Sequence, residues 1–290
     1  MDAFSQYHPA VNFAFFVGAI GCGVVFQHPA YLMAGMIAAA AYYLLLHREK
    51  AIKHLLFLMS LVLLAAVINP VINTRGDHVL FYLFSRPYTL EALLYGVAMA
   101  GILLVMLLWF GCYNAVMTGD KFTSLFGNLI PAVSLLLVMI LRMVPNLIRQ
   151  TRQILGARKS VGKGGRETAN LREKLDVGMA ALSAMTSWAL EGSIVTADSM
   201  RARGYGSAKR CSFMIYRMTG RDWVMLAVMA LLLTLVLLAA LVGQTRAEYL
   251  PQLLIAPPSW GVFVYGAYLL IPTILHVKED ILWHIFRSKI

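Results

Sequence analysis

Long apolar runs without any charge divide this chain into candidate membrane-spanning segments. About 20 apolar residues cross the hydrocarbon core of a bilayer as an α-helix. Six uncharged windows reach that length, and the first is long enough for two helices, with a break near Gln27-His28-Pro29. Lys, Arg, Asp and Glu are absent from Ala3–His47, His54–Thr74, Ala92–Gly119, Phe122–Leu141, Trp223–Gln244 and Tyr249–Val277.

This pattern predicts an all-α membrane protein with about six transmembrane helices. The composition agrees, because 60% of the residues are hydrophobic and 13% are charged, whereas a soluble domain carries about 25% charged residues. The N-terminal sequence MDAFSQYHP lacks the basic region of a cleavable signal peptide, so we expect a multi-pass protein of a bacterial or archaeal inner membrane. The six spans are expected at about Val11–Phe26, Pro29–Leu46, Leu55–Asn73, Leu90–Cys112, Trp223–Val242 and Trp260–Val277.

Basic residues predict which loops face the cytoplasm. Lys and Arg accumulate in cytoplasmic loops, which accounts for the net charge of +11 without nucleic acid as a partner. Arg48 and Lys50 place the second loop inside, and the 16 basic residues from Lys121 to Arg221 must also lie inside. Phe126–Leu141 is therefore not counted as a span, and it lies at the interface or dips into the bilayer. Six spans then put both termini in the cytoplasm.

The chain is predicted to contain N-terminal transmembrane helices over residues 1–112, cytoplasmic or interfacial coupling helices over 113–221, and C-terminal transmembrane helices over 222–290. Within the middle segment, Pro131 starts a helix that Pro145 breaks or kinks, since proline lacks the amide donor. A second helix runs from Pro145 to about Lys159. After a Gly- and Lys-rich linker, a third covers about Leu171–Arg203. Long crossed helices are expected here.

Both long helices end in Ala-Arg. The first ends at Ala157-Arg158-Lys159 and the second at Ala202-Arg203-Gly204. A single arginine at a helix C-terminus is explained by the helix dipole alone. Two such tips in one chain instead suggest two helix ends that enter grooves on partner proteins, where each guanidinium binds carboxylates.

At these residues the chain resembles the transmembrane T component of energy-coupling-factor (ECF) transporters, including the cobalt and nickel type. Lys159 stands where that family usually has a small residue, and Glu191 lies where it tends to carry an acid. The resemblance covers about Thr89–Gly206. The family's second signature, A-D-x-M-x-x-R-G-[YF], is matched by Ala197, Asp198, Met200, Arg203, Gly204 and Tyr205. Its first signature, a helix that ends in Ala-Arg after an R-x-x-P turn, is matched by Arg142, Pro145, Ala157 and Arg158.

The resemblance implies an L-shaped helical subunit that performs no catalysis itself. Its partners would be two ATP-binding-cassette ATPases, which dock on the tips at Arg158 and Arg203. A small membrane protein that captures a vitamin or a metal ion would pack alongside the small-residue face of Leu171–Met200, within membrane lipid. ATP would be hydrolysed by the partners, and neither a cofactor nor a resident metal is implied.

Three other functions would each require residues or elements that differ from the pattern of this chain. A secondary transporter or channel would need charged residues inside the spans, and Glu91 lies only at an edge. A membrane enzyme would need His, Asp or Glu clustered at a span end, and no catalytic residues are predicted. An ordinary ABC importer permease usually offers one coupling helix per chain. The secondary transporter and the permease remain the alternatives to the coupling subunit.

Overall fold

The computed structural model describes residues 3–47, 51–73, 78–83, 86–126, 131–162, 171–207, 216–245, 247–249, 254–257 and 259–287. It confirms an all-α fold. The helices are α1 (Pro9–Val25), α2 (Pro29–His47), α3 (Ala51–Ile72), α4 (Leu90–Val116), α5 (Gly119–Phe126), α6 (Pro131–Ser160), α7 (Leu171–Ala202), α8 (Gly220–Leu241) and α9 (Trp260–Arg287), preceded by a 3₁₀ turn at Phe4–Gln6. Two antiparallel hairpins pair β1 (Val79–Leu83) with β2 (Arg86–Thr89) and β3 (Ala247–Glu248) with β4 (Leu254–Ile255).

The chain forms two compact units, and one is inserted into the other. Met1–Phe122 and Tyr216–Ile290 make the first, which we call the six-helix unit, and Thr123–Ile215 make the second, the inserted unit. Five helices of the six-helix unit are long and apolar enough to cross a membrane, and α1 is a shorter apolar helix. The six predicted spans therefore correspond to α1, α2, α3, α4, α8 and α9.

One expectation about the inserted unit is wrong. The separate helix expected from Pro145 to about Lys159 does not exist, because α6 runs through Pro145 without interruption from Pro131 to Ser160. A proline inside a helix costs about 3 kcal/mol through its missing N–H and its clash with the preceding turn. Long helical stretches on both sides of Pro145 tolerate that cost, as they do at Pro70 in α3 and Pro272 in α9.

The core of the six-helix unit is rich in aromatic rings that contact each other in edge-to-face or tilted arrangements. Phe15 of α1 lies at the centre, with ring centroids 5.2 Å from Phe4, 5.5 Å from Trp109 and 5.3 Å from Tyr268. All four side chains are fully buried. Close packing of this kind holds membrane helices together, since burial away from water is no driving force between helices that already lie in lipid.

The same tripeptide starts both α1 and α2. In His8-Pro9-Ala10 and in His28-Pro29-Ala30, the histidine Nδ1 accepts a hydrogen bond from the alanine N–H at 3.2 Å. Proline suits the first helical turn because its missing donor would be unpaired there in any case. The repeat thus gives two consecutive helices the same start at opposite ends of the unit.

Contacts at the two ends fix the helix directions in the six-helix unit. At one end, Tyr249 donates to the carbonyl oxygen of Gln27 at 2.8 Å, joining the α8–α9 loop to the α1–α2 loop. At the other, the Gln6 side chain donates to Glu279 Oε1 of α9 at 3.4 Å. The start of α1 and the last turns of α9 therefore lie at one end, which we call the N-terminal end.

Candidate functional site

The predicted coupling residues lie on α6 and α7, the two long helices of the inserted unit. These helices contact each other over a short stretch, where the Thr151 hydroxyl lies 2.8 Å from Sδ of Met185. Among their described side chains, Ala181 of α7 is the single buried one. Because helices of this length that ran side by side would bury a continuous stripe, α6 and α7 cross.

Each Ala-Arg lies some distance beyond this crossing. Arg158 follows Thr151 by about 10 Å of helix and Arg203 follows Met185 by about 27 Å, at 1.5 Å per residue. Arg158 lies in the last turn of α6, and Arg203 directly follows the last helical residue of α7. The crossing thus leaves both tips as projecting helix ends, and the arm that carries Arg203 is the longer one.

The end of α7 is a complete Schellman motif. The N–H of Gly204 donates to the carbonyl oxygen of Arg201 at 3.0 Å, and the N–H of Tyr205 donates to that of Met200 at 3.1 Å. Gly204 has φ +78°, the left-handed conformation that this motif requires and that glycine adopts without steric cost. The R-G-Y sequence therefore sets the backbone that presents the Arg203 side chain, which is exposed.

The end of α6 has a similar cap but a different arginine environment. Gly162 has φ +74°, and its N–H donates to the carbonyl oxygen of Lys159 at 3.1 Å. The Arg158 side chain is half-buried, and its Nε has no hydrogen-bond partner among the described residues. A guanidinium N–H that is shielded from water and unpaired is energetically costly, so a hydrogen-bond acceptor on a docked partner would stabilise it.

The remaining predicted residues do not converge on a pocket. Met200 is half-buried, whereas the other predicted residues at these two tips and along their helices lie exposed. The exposed residues are Arg142, Pro145, Ala157, Lys159, Glu191, Ala197, Asp198, Ala202, Gly204 and Tyr205. This arrangement suits a docking surface rather than an enclosed catalytic site, and the described residues contain no group of three metal-ligating side chains.

Charge and apolar surface lie side by side on this unit. From Arg142 to Lys159, α6 carries five basic residues and no acidic one. Both helices also expose large apolar side chains, such as Ile148 of α6 and Met179 and Leu190 of α7, which are 49%, 65% and 62% exposed. Exposed apolar surface of this extent marks an interaction site for protein or membrane.

Replacing Gly204 by alanine is expected to loosen the α7 tip. A left-handed residue with a Cβ costs about 1–2 kcal/mol, so amide exchange over residues 199–207 should accelerate about 5- to 30-fold. Hydrogen–deuterium exchange read by mass spectrometry measures this rate. Gly192→Ala is the matched control, because no atom lies within 4 Å of its new Cβ and exchange at the tip should stay unchanged. Equal exchange in both variants would contradict the cap's role.

Sequence reasoning missed three charged side chains that form hydrogen bonds at the N-terminal end of the six-helix unit; Lys121 and Asp222 are buried and Arg221 is exposed. These are Lys121, which precedes the inserted unit, and Arg221 and Asp222, which follow it. The sequence held one signal: Thr219-Gly-Arg-Asp222, directly before an apolar run, reads as a capping box. The structure contains that box.

The chain matches no protein-family model, and no curated protein is significantly similar to it.

Proposed function

We propose that this protein is the non-catalytic coupling subunit of an ECF-type ABC importer. Its two helix tips dock on two ATPase subunits, and it passes their movement to a small membrane protein that captures a vitamin or a metal ion. The tips consist of Ala157-Arg158-Lys159 and Ala202-Arg203-Gly204. On this proposal the tips and both chain termini face the cytoplasm, where ATP is available.

A single observation carries the proposal: two crossed helices, each with Ala-Arg near its C-terminal end and a left-handed glycine beyond it, leave nearly all their surface uncovered. An isolated helix pair with so little buried surface gains little stability from its own packing. The exposed apolar residues therefore favour a partner or the membrane surface, and the basic tips favour an acidic groove. A helix end inserted in such a groove places the guanidinium against carboxylates in bidentate geometry.

The secondary-transporter alternative is less well supported. Coupling by protons or sodium relies on ionisable groups within the membrane that face a pathway. In the described spans, the buried Glu91 and Asp222 both lie in the first turn of a helix and have structural partners. Glu91 binds His78 at 2.6 Å, and Asp222 completes its own capping box. Neither carboxylate is placed at mid-membrane depth.

The test is a detergent pull-down of the tagged protein beside the double variant Arg158→Glu/Arg203→Glu, with the bound proteins identified. The wild type is expected to retain two ABC ATPase subunits together with a small membrane protein. The variant is expected to lose the ATPases, because each reversed charge repels the acidic groove.

The matched control is Arg172→Glu, which makes the same charge change at the far end of α7, at an exposed position. It should retain both ATPases. Wild-type protein that is recovered without any ATPase, in low salt and without ATP, would refute the proposal and favour a secondary transporter.

A further inference from the structure

Four consecutive residues at the N-terminus bind three separate parts of the six-helix unit. Ser5 accepts from Lys121, Gln6 donates to Glu279 of α9, and the Tyr7 hydroxyl accepts from Arg221 of α8. The His8 N–H donates to Asp222 of α8. Ser5–His8 is therefore a shared attachment point, which we call the N-terminal clamp.

The clamp holds the chain where it leaves for the inserted unit. Lys121 lies two residues before Thr123, the first residue of that unit, and its side chain is buried. Its ammonium donates to the carbonyl oxygen of Ser5 at 2.5 Å, to the Ser5 hydroxyl at 2.7 Å and to the carbonyl oxygen of Val116 at 3.0 Å. These three acceptors satisfy all three donors of the ammonium. The departing chain is thus tied to the N-terminus and to the end of α4.

The clamp also holds the chain where it returns. Asp222 uses Oδ2 to accept from the N–H and the hydroxyl of Thr219, at 2.9 and 2.8 Å, and Oδ1 to accept from the His8 N–H at 3.1 Å. Beside it, Nε of Arg221 donates to the Tyr7 hydroxyl at 2.8 Å, and the guanidinium lies 4.3 Å from the Tyr7 ring centroid. One carboxylate and one guanidinium thus join the returning chain to the clamp.

The clamp is itself anchored in the aromatic core. Phe4 is fully buried against Phe15 and Phe16, and Tyr7 is buried beside Phe4, with ring centroids 6.2 Å apart. A force on either connection therefore acts on α1 and on the core that α1 shares with α4 and α9.

We infer that the N-terminal clamp holds together the two places where the chain leaves and re-enters the six-helix unit, so that a force arriving at either place acts on the six-helix unit as a whole. Tyr7, Lys121, Arg221 and Asp222 are its positioning residues. The inference rests on the proposed function for the source of the force, but the clamp itself can be measured in the protein alone.

The test places spin labels at Asp120→Cys and Met218→Cys, one on each connection, and measures the width of the interlabel distance distribution by electron paramagnetic resonance. Both positions are exposed. Cys211 is replaced by serine, and Cys22 and Cys112 are buried and do not take the label. Full-length protein in lipid nanodiscs should give a narrow distribution. Lys121→Met and, separately, Asp222→Asn should widen it at least twofold.

A second readout separates coupling from mere structure. In the complete importer, both variants should keep ATPase capture and ATP hydrolysis but lose uptake at least tenfold. The matched control is Lys53→Met, which replaces an exposed lysine at the same end of the unit. It should change neither the width of the interlabel distance distribution nor the uptake. Tyr7→Phe, which keeps the buried ring but removes the hydroxyl, replaces any variant that does not fold.

The inference would be overturned by a folded clamp variant whose interlabel distance distribution is as narrow as that of the wild type. It would also be overturned by a variant with a wider distribution but unchanged uptake per ATP hydrolysed. Failure of the proposed function has a different signature, because the wild type would then capture no ATPase. In that case the label widths alone decide whether the clamp exists.

Discussion

Arg203→Glu is expected to abolish ATP-driven uptake while the protein still inserts in the membrane. Arg203 is exposed at the end of the longer arm, on a backbone set by the Gly204 cap. Breaking a buried charge pair at an interface costs about 2–5 kcal/mol, which corresponds to about 30- to 5,000-fold in affinity. Charge reversal adds repulsion to that loss. Uptake of labelled substrate into vesicles, corrected for the amount of inserted protein, measures the effect.

Two further variants make this result specific. Arg158→Glu should also lower uptake. Nε of Arg158 is shielded from water and has no partner among the described residues, so we expect an acceptor on the docked ATPase to pair with it. The variant would leave that acceptor buried and unpaired. Arg172→Glu should leave uptake unchanged. Unchanged uptake by Arg203→Glu would sink the coupling mechanism, and a loss shared by Arg172→Glu would point to the overall charge of α7 instead.

Gly261→Ala is expected to destabilise the six-helix unit, against the usual effect of replacing a helical glycine. A Cβ at this position would lie 2.2 Å from the Tyr31 hydroxyl oxygen and 2.7 Å from Cβ of Ala239. Ala239 can yield only if α8 moves, so the overpacking should cost about 1–3 kcal/mol or more. The unfolding midpoint in detergent, followed by tryptophan fluorescence, should fall by about 2–4 °C per kcal/mol.

Gly266→Ala is the matched control in the same helix. No atom lies within 4 Å of its new Cβ, so alanine should gain up to about 1 kcal/mol from helix propensity, and the midpoint should rise or stay constant. A lower unfolding midpoint for Gly261→Ala together with an equal or higher one for Gly266→Ala would confirm that α2, α8 and α9 pack closely at Gly261. A rise for both would contradict that packing.

The sequence predicted the membrane helices well because each depends on a local property. Uncharged windows of about 20 residues place a helix within a few positions, as α2 and α8 show. Pro145 was harder, because proline affects only one turn, and the helix around it decides whether that turn survives. The cap of α7 was predictable, since Gly204 follows the last periodic residue and glycine is the usual residue for the left-handed conformation.

The clamp could not be predicted, because its bonds join residues far apart in the chain. His8 and Asp222 are 214 residues apart, and Ser5 and Lys121 are 116 apart. Composition placed Lys121 among the basic loop residues, and only the fold shows that its ammonium is buried against three acceptors. The partial burial of Arg158 could not be predicted either. The helical pattern indicates which residues share a face of α6, but it does not show which neighbours cover an individual side chain.

The insertion of one unit into another also constrains how this protein is made. Phe15 of α1 packs on Tyr268 of α9, so the aromatic core around α1 is complete only after α9 has been synthesised. About 150 residues separate the end of α4 from Tyr268, and at about 5–20 residues per second their synthesis takes on the order of ten seconds or more. During that interval Phe15 lacks the Tyr268 ring against which it packs in the folded protein. The aromatic core is therefore completed only well after α1 to α4 have been synthesised.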